Sequence, residues 1–256
     1  MNNLIEVSGL IKRYGDLTAV AGIDFTVHAG EIVGFLGPNG AGKTTTIKLL
    51  TGLLKPDGGT ARIDGHDIQA APLEAKAVIG FVPDTPNLYG KLKALEYLRF
   101  MGQLYRVPRA LAEDRIKRML ALFDLTDVSG NYLEGYSHGM QQKVAIAGAL
   151  IHDPRVTFMD EPTAGLDPRS ARLIKDLMIQ RRDSGNSVFF STHILEIAEN
   201  MCDRVIIIDK GQIIADAKVD ELRQMQGRDE SLEEIFLKLT GGSDVDAMVQ
   251  ELANDS

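Results

Sequence analysis

The sequence predicts an α/β protein built on a mostly parallel sheet, with a helical segment inserted into it. Three observations carry that prediction. Short apolar runs recur in both the first and the last thirds of the chain. A glycine-rich loop joins one such run to a helical pattern. Between residues 91 and about 151 no strand pattern occurs, whereas helical spacing does. The length of 256 residues suits one large domain or two small ones, with ample chain for a buried core.

The strand pattern falls on residues 4–8, 23–28, 32–36, 60–64, 78–82, 156–160, 188–191, 205–209 and 212–215. Ile23, Phe25 and Val27 alternate with Asp24, Thr26 and His28, as in a strand with one wet face. Residues 156–159 and 205–208 are apolar throughout or nearly so, which suits central parallel strands covered on both sides. In the middle, Leu95, Leu98, Met101 and Tyr105 recur at helical spacing, as do Ile116, Met119, Leu120 and Phe123, with Pro108 between the two helices. A third helix is expected over 137–152, stopped by Asp153-Pro154. After Gly227, Leu232, Ile235, Phe236 and Leu239 share one helix face, Gly241-Gly242 should end that helix, and loose order is expected from Ser243. No repeat of 20–50 residues is visible.

Lysine and arginine number 28 against 36 aspartate and glutamate, a net charge of −8. That balance argues against a nucleic-acid binder relying on overall positive charge. Residues 228–256 carry eight acids and two bases, so most of the acidity is a C-terminal matter; residues 91–125 carry eight bases and four acids. The bland reading of that basic stretch is a solvated face, the alternative a contact with a membrane partner or acidic lipid heads. The only cysteine, Cys202, rules out a disulfide within the chain and reads as a small residue next to the core strand that follows. No apolar run approaches the 18 or so residues of a membrane span, and the start MNNLIEVSGL does not read as a signal segment. The expected location is therefore the cytosol, unless a partner holds the chain at a membrane.

Residues 37–44 read GPNGAGKT and fit G-x-x-x-x-G-K-[ST], after the strand at 32–36 and before a helical run at 45–54. Gly37, Gly40 and Gly42 let the backbone wrap phosphate oxygens and aim N–H groups at them. Lys43 reaches the β- and γ-phosphates, the Thr44 hydroxyl ligates Mg²⁺, and the helix N-terminus adds partial positive charge. Pro38, Asn39, Ala41 and Thr45 belong to the same phosphate-binding segment. Such a loop needs a second carboxylate for Mg²⁺ at the end of a neighbouring apolar strand, which Asp160 supplies in VTFMD. Glu161 follows, where a carboxylate can orient or deprotonate the attacking water.

These motifs, with YSHGMQQK at 136–143, VTFMDEPTAGLD at 156–167 and STH at 191–193, resemble the ATP-binding subunit of an ABC transporter over about residues 1–222. The resemblance implies a P-loop ATPase of that type, with an N-terminal antiparallel β subdomain and a helical subdomain at about 88–152. Residues 223–256 are then a short acidic tail with one amphipathic helix. Tyr14 resembles the aromatic that stacks on adenine. Ser137 and Gly139 resemble the signature that crosses a dimer interface to cap the γ-phosphate of the partner subunit. His193 resembles the switch histidine beside Glu161, and Asp167 the aspartate linking the two sites.

Two departures from the family pattern matter. Asp84, in GFVPDTPNLY, stands where the family usually has a glutamine; it can still ligate Mg²⁺ but adds negative charge near the γ-phosphate. In the signature, His138 replaces a usual glycine and Met140 a usual glutamine. The resemblance implies ATP and Mg²⁺, a second ATP-binding subunit, a separate membrane permease, no nucleic acid, and a peripheral position on the cytoplasmic side of the membrane. The SLEEIFLKLTGG run leans toward an export-type system. Competing readings are a soluble ATPase of this family acting on a macromolecular assembly, such as iron–sulfur cluster assembly, and a regulatory module that does not hydrolyse. The single cysteine and lack of long heptads weigh against DNA-repair members of the first kind and the single P-loop against translation-type members, but not against a single-domain iron–sulfur assembly ATPase. Glu161 and His193 weigh against the second reading.

Overall fold

The computed structural model describes residues 2–221 and 232–240. β1 (Asn3–Tyr14) and β2 (Leu17–His28) form a long antiparallel hairpin turned at Gly15 and Asp16. Both run beyond the stretches expected at 4–8 and 23–28. β1 is paired on both edges, by β2 and by β4 (Gly58–Ile63), and Gly9, at φ +56°, lies within a register shift between Val7 and Leu10. With β5 (His66–Asp67), too short for any sequence period to reveal, these strands make an antiparallel sheet ordered β2-β1-β4-β5.

β3 (Ile32–Leu36), β6 (Ile79–Val82), β7 (Val156–Asp160), β8 (Ser187–Thr192), β9 (Arg204–Asp209) and β10 (Gln212–Lys218) form the second sheet, ordered β10-β9-β3-β8-β7-β6. It is parallel except for β10. β3, β7 and β8 are buried at every position, as strands covered on both faces must be. Phe189 of β8 joins the two sheets: it stacks on Phe25 of β2 at 5.6 Å and packs against Phe35 and Phe158. Because β3, β7 and β8 run parallel, their C-terminal ends open on one edge, where crossover connections leave a ligand crevice.

α1 (Lys43–Leu50) follows β3 and stops earlier than the 45–54 pattern, before Gly52 at φ +66°. α2 (Pro72–Ala77) precedes β6. Between β6 and β7 lie α3 (Ala94–Leu104), α4 (Arg109–Leu122) and α5 (His138–Leu150), with no strand longer than the single bridge Lys93–Tyr132. α6 (Pro168–Asp183) and α7 (Leu195–Met201) were not expected from apolar spacing. The end signals of α6 were present, since Asp167 accepts the Ser170 N–H at 2.9 Å and Pro168 takes the first helical position. α8 (Leu232–Thr240) buries Leu232 and Ile235 against Leu36, Ala198, Val205 and Ile207, so this part of the acidic tail is packed onto the second sheet and α7. The expected stop at Gly241-Gly242 and the loose end from Ser243 lie outside the described residues. Cys202 sits beside Gly34, its thiol pushed up by burial, as a small core residue should be. Among the described residues no helix is long and apolar enough to cross a membrane.

Half of the basic stretch is spent on local ion pairs: Lys91 with Glu134, Arg99 with Glu113, Arg115 with Asp153 and Arg118 with Asp114. This favours the solvated-face reading of residues 91–125.

His152 fastens the helical segment to the sheet. Its ring stacks on Tyr105, which follows α3, at 3.6 Å, and Nε2 lies 3.0 Å from the Ile79 carbonyl of β6. A carbonyl can only accept, so Nε2 carries the proton and buried Nδ1 is left bare. Burial pushes the imidazole down to about 4. In the unfolded chain it protonates near 6.5, so between these values the unfolded state binds more protons and stability is lost as pH falls. His152 is expected to cost on the order of 2–3 kcal/mol of stability between pH 6.5 and 4. Urea unfolding across that range should show the loss, and His152→Gln should flatten it.

Candidate active site

Each part of the crevice comes from the end of a strand. After β3 the chain enters the loop 37–42, whose tightness dictates its glycines. A Cβ on Gly37 would stand 2.3 Å from the Ile208 carbonyl oxygen, and one on Gly42 2.4 Å from that of Ala19. Gly42 also has φ +112°, closed to other residues without strain. It caps α1 without a side chain, and no acidic residue occupies the first turn. The first N–H groups of a helix lack intrahelical acceptors, so this end presents donors and positive potential to an anion. Lys43 is buried and donates to the carbonyls of Gly37 at 2.7 Å and Pro38 at 3.1 Å. Its pKa is lowered by burial, against the opposing pull of Glu161 and Asp160. Ala41 turns its N–H inward to the Pro38 carbonyl and its C=O to Gly211, so it supports the loop from behind.

β7 ends on Asp160, which is buried, and Glu161 follows, its side chain 19% exposed. Glu161 has φ +50°, a strained value for this residue type. Ser191 of β8, directly opposite Asp160 in register, holds both: its hydroxyl donates to Asp160 Oδ1 and accepts the Glu161 N–H at 3.2 Å. The Ser191 carbonyl also accepts that N–H at 3.2 Å. Two residues on, His193 Nδ1 lies 2.9 Å from Glu161 Oε1. Ser191 lay within the STH motif, but sequence reading assigned it no role.

These groups enclose a cleft of about 520 Å³. Asn39, Gly40 and Gly42–Thr45 line one side; Asp84, Asp160, Glu161 and His193 line the other. Tyr14, at the hairpin tip and about half exposed, stands at the mouth with Leu17 and Ala19, two residues not anticipated. Ser137 and Gly139 do not line this cleft. Ser137 caps α5, its hydroxyl accepting the Met140 N–H at 3.3 Å, while Gly139 faces Leu166 and His138 faces Gly165. The signature therefore lies beside the loop that leads to Asp167. The Asp167 carboxyl, held low by the Ser170 hydroxyl and N–H, caps α6.

The donor set fits a divalent cation that arrives with phosphate. Asp84, Asp160 and Glu161 outnumber the single Lys43, yet among the described residues no three such side chains converge on a point that could hold an ion alone. Mg²⁺ commonly takes one or two carboxylates and completes its shell with phosphate oxygens and water.

Comparison with known proteins agrees with this geometry. Residues 20–164, more than half of the chain, match the family described as ABC transporter. The chain is 40% identical over 223 residues to a daunorubicin/doxorubicin resistance ATP-binding protein of Streptomyces peucetius, spanning 87% of this chain and 68% of that protein. It is 38% identical over 219 residues to a Nod factor export ATP-binding protein of Ralstonia nicotianae, spanning 86% and 68%. A solved structure of an ATP binding subunit of an ABC transporter superposes with a TM-score of 0.88 at 34% identity, covering 92% of this chain and 99% of that one.

Proposed function

The chain belongs to the ABC transporter family as an ATP-binding, ATP-hydrolysing subunit, and we propose that it powers export of a substrate through a separate membrane permease. The observation that carries this reading is one cleft bringing Lys43, Asp160, Glu161 and His193 together while the signature residues Ser137 and Gly139 face elsewhere. A site built that way is completed by a second copy or close relative, whose Ser137 hydroxyl, Gly139 backbone and α5 dipole would cap the γ-phosphate. The lean to export rests on the names of the two relatives and on the run SLEEIFLKLTGG. The position proposed is peripheral, on the cytoplasmic side, through the permease.

In this reading Tyr14 stacks on the base, and Gly37–Thr45 hold the triphosphate. Thr44, Asp160 and Asp84 hold Mg²⁺, which when bound neutralises charge on the β- and γ-phosphates. Glu161, steadied by His193 and the Ser191 backbone, takes a proton from water as its oxygen attacks the γ-phosphorus. The bond to the β–γ bridging oxygen breaks, leaving ADP and phosphate. The repulsion between products opens the dimer, and closing and opening shift the permease between states. The unit proposed for this work is residues 1–222, with 88–152 as its helical subdomain and 223–256 as an appended tail.

Purification from membranes tests the function: a polytopic protein should co-purify with the chain, whereas recovery only from cytosol with soluble partners would favour the macromolecular-assembly reading. Asp84 has its own test. Exchanging it for glutamine removes a strong oxygen ligand, so Asp84→Gln should need several-fold more Mg²⁺ for half-maximal ATPase and change the maximal rate. Unchanged values of both would remove Asp84 from the Mg²⁺ site.

A further inference from the structure

Lys12 lies outside the cleft, yet it is held as few surface lysines are. Its side chain is only 14% exposed. The ammonium donates to the Lys55 carbonyl at 2.9 Å and to Asp57 Oδ1 at 3.2 Å. Asp57 also grips the strand itself. Its Oδ2 accepts the Arg13 N–H at 2.7 Å, and its own N–H donates to the Ile11 carbonyl at 2.9 Å. Three consecutive residues of β1 are thereby pinned immediately before Tyr14. The Arg13 N–H and then Lys12 hold the Asp57 carboxyl below the usual carboxylate range, so the clamp keeps its charge.

Lys12 and Tyr14 are two apart on one strand and share a face. Lys12 Nζ stands 5.6 Å from the centroid of the Tyr14 ring. Tyr14 lines the nucleotide cleft and Lys12 does not, so the cation bears on the ring without lining the cleft itself. We propose that Lys12, clamped by Asp57 and the Lys55 carbonyl, is a positioning residue for the nucleotide base, acting through Tyr14. It fixes the ring at the hairpin tip. It also draws π density toward the cation, which lessens repulsion between the ring's other face and a stacked purine. The proposal rests on the reading that Tyr14 stacks on the base, and it gives Lys12 no part in holding phosphate.

The phosphate chain alone supplies the control. Lys12→Met keeps most of the apolar stem and removes the charge. Titration calorimetry on the full chain, with Mg²⁺ present, would compare ATP with inorganic tripolyphosphate. The expected result is ATP binding about three- to fivefold weaker, the usual size of an exposed cation–π contact, with tripolyphosphate binding unchanged. The KM for ATP should rise by the same factor at constant kcat, Lys12→Arg should restore it, and Lys12→Met should add nothing in a Tyr14→Ala background. Unchanged ATP affinity, equal weakening of both ligands, or an undiminished effect in the Tyr14→Ala background would each overturn the proposal. If Tyr14→Ala alone bound ATP as tightly as the parent, the stacking reading would fall, and this inference with it.

Discussion

Glu161→Gln is expected to lower ATP turnover by about 10²–10⁴-fold while ATP binding stays close to that of the parent. The amide keeps the shape of the side chain and still offers an oxygen to His193, whose Nδ1 lies 2.9 Å from Glu161 Oε1. The backbone contacts that hold residue 161 at φ +50° come from Ser191 and do not involve the carboxylate. The variant thus loses a proton acceptor and little else, and one negative charge fewer faces the γ-phosphate. Single-turnover hydrolysis, read beside equilibrium ATP binding, separates the two effects. Near-normal turnover would show that the base is another group. His193→Ala is the companion variant: if His193 only steadies Glu161, its loss should cost less than that of the carboxylate.

How far the sequence carried this site depended on the kind of information each residue needed. β3 and β7 could be read to the residue because strands buried on both faces are written as nearly continuous apolar runs. The P-loop was legible because phosphate demands glycines and a lysine at fixed spacing, and the 2.3 and 2.4 Å clashes that a Cβ would meet at Gly37 and Gly42 show why. β1 was underestimated because Gly9, Lys12 and Arg13 interrupt its apolar pattern, although two neighbouring strands pair with it. α6 was hidden by sparse apolar positions, even though Asp167 and Pro168 marked its start. Ser191 and Lys12 are a different case. Ser191 matters through the register that sets β8 beside β7, and Lys12 through an aspartate 45 residues away. No local spacing encodes either relation. A signature supplied by a second copy, as proposed, lies beyond any single chain.

Lys43→Met is expected to weaken ATP binding about 10–100-fold, the cost of losing charge-assisted hydrogen bonds to phosphate. The turnover of whatever still binds should fall by about a further 10²–10³-fold, as when a preorganised donor is lost from a developing charge. Lys43 bonds the carbonyls of Gly37 and Pro38, which braces the loop around the place of the phosphate. Phosphate oxygens then compete for donors already in place, so little ordering remains to be done on binding. Arginine should not rescue the defect, because a planar guanidinium fork does not reproduce the compact ammonium that donates to the Gly37 and Pro38 carbonyls. Binding and hydrolysis measured together distinguish this outcome from Glu161→Gln, which spares the first and removes the second. The two variants should not add. Burial lowers the Lys43 pKa and Glu161 is the leading charge opposing that shift, so Glu161→Gln also makes the lysine easier to deprotonate. A double-mutant cycle on ATP affinity, run at several pH values, should give a nonzero coupling. A coupling that stayed at zero throughout would mean that the two charges do not sense each other across the cleft.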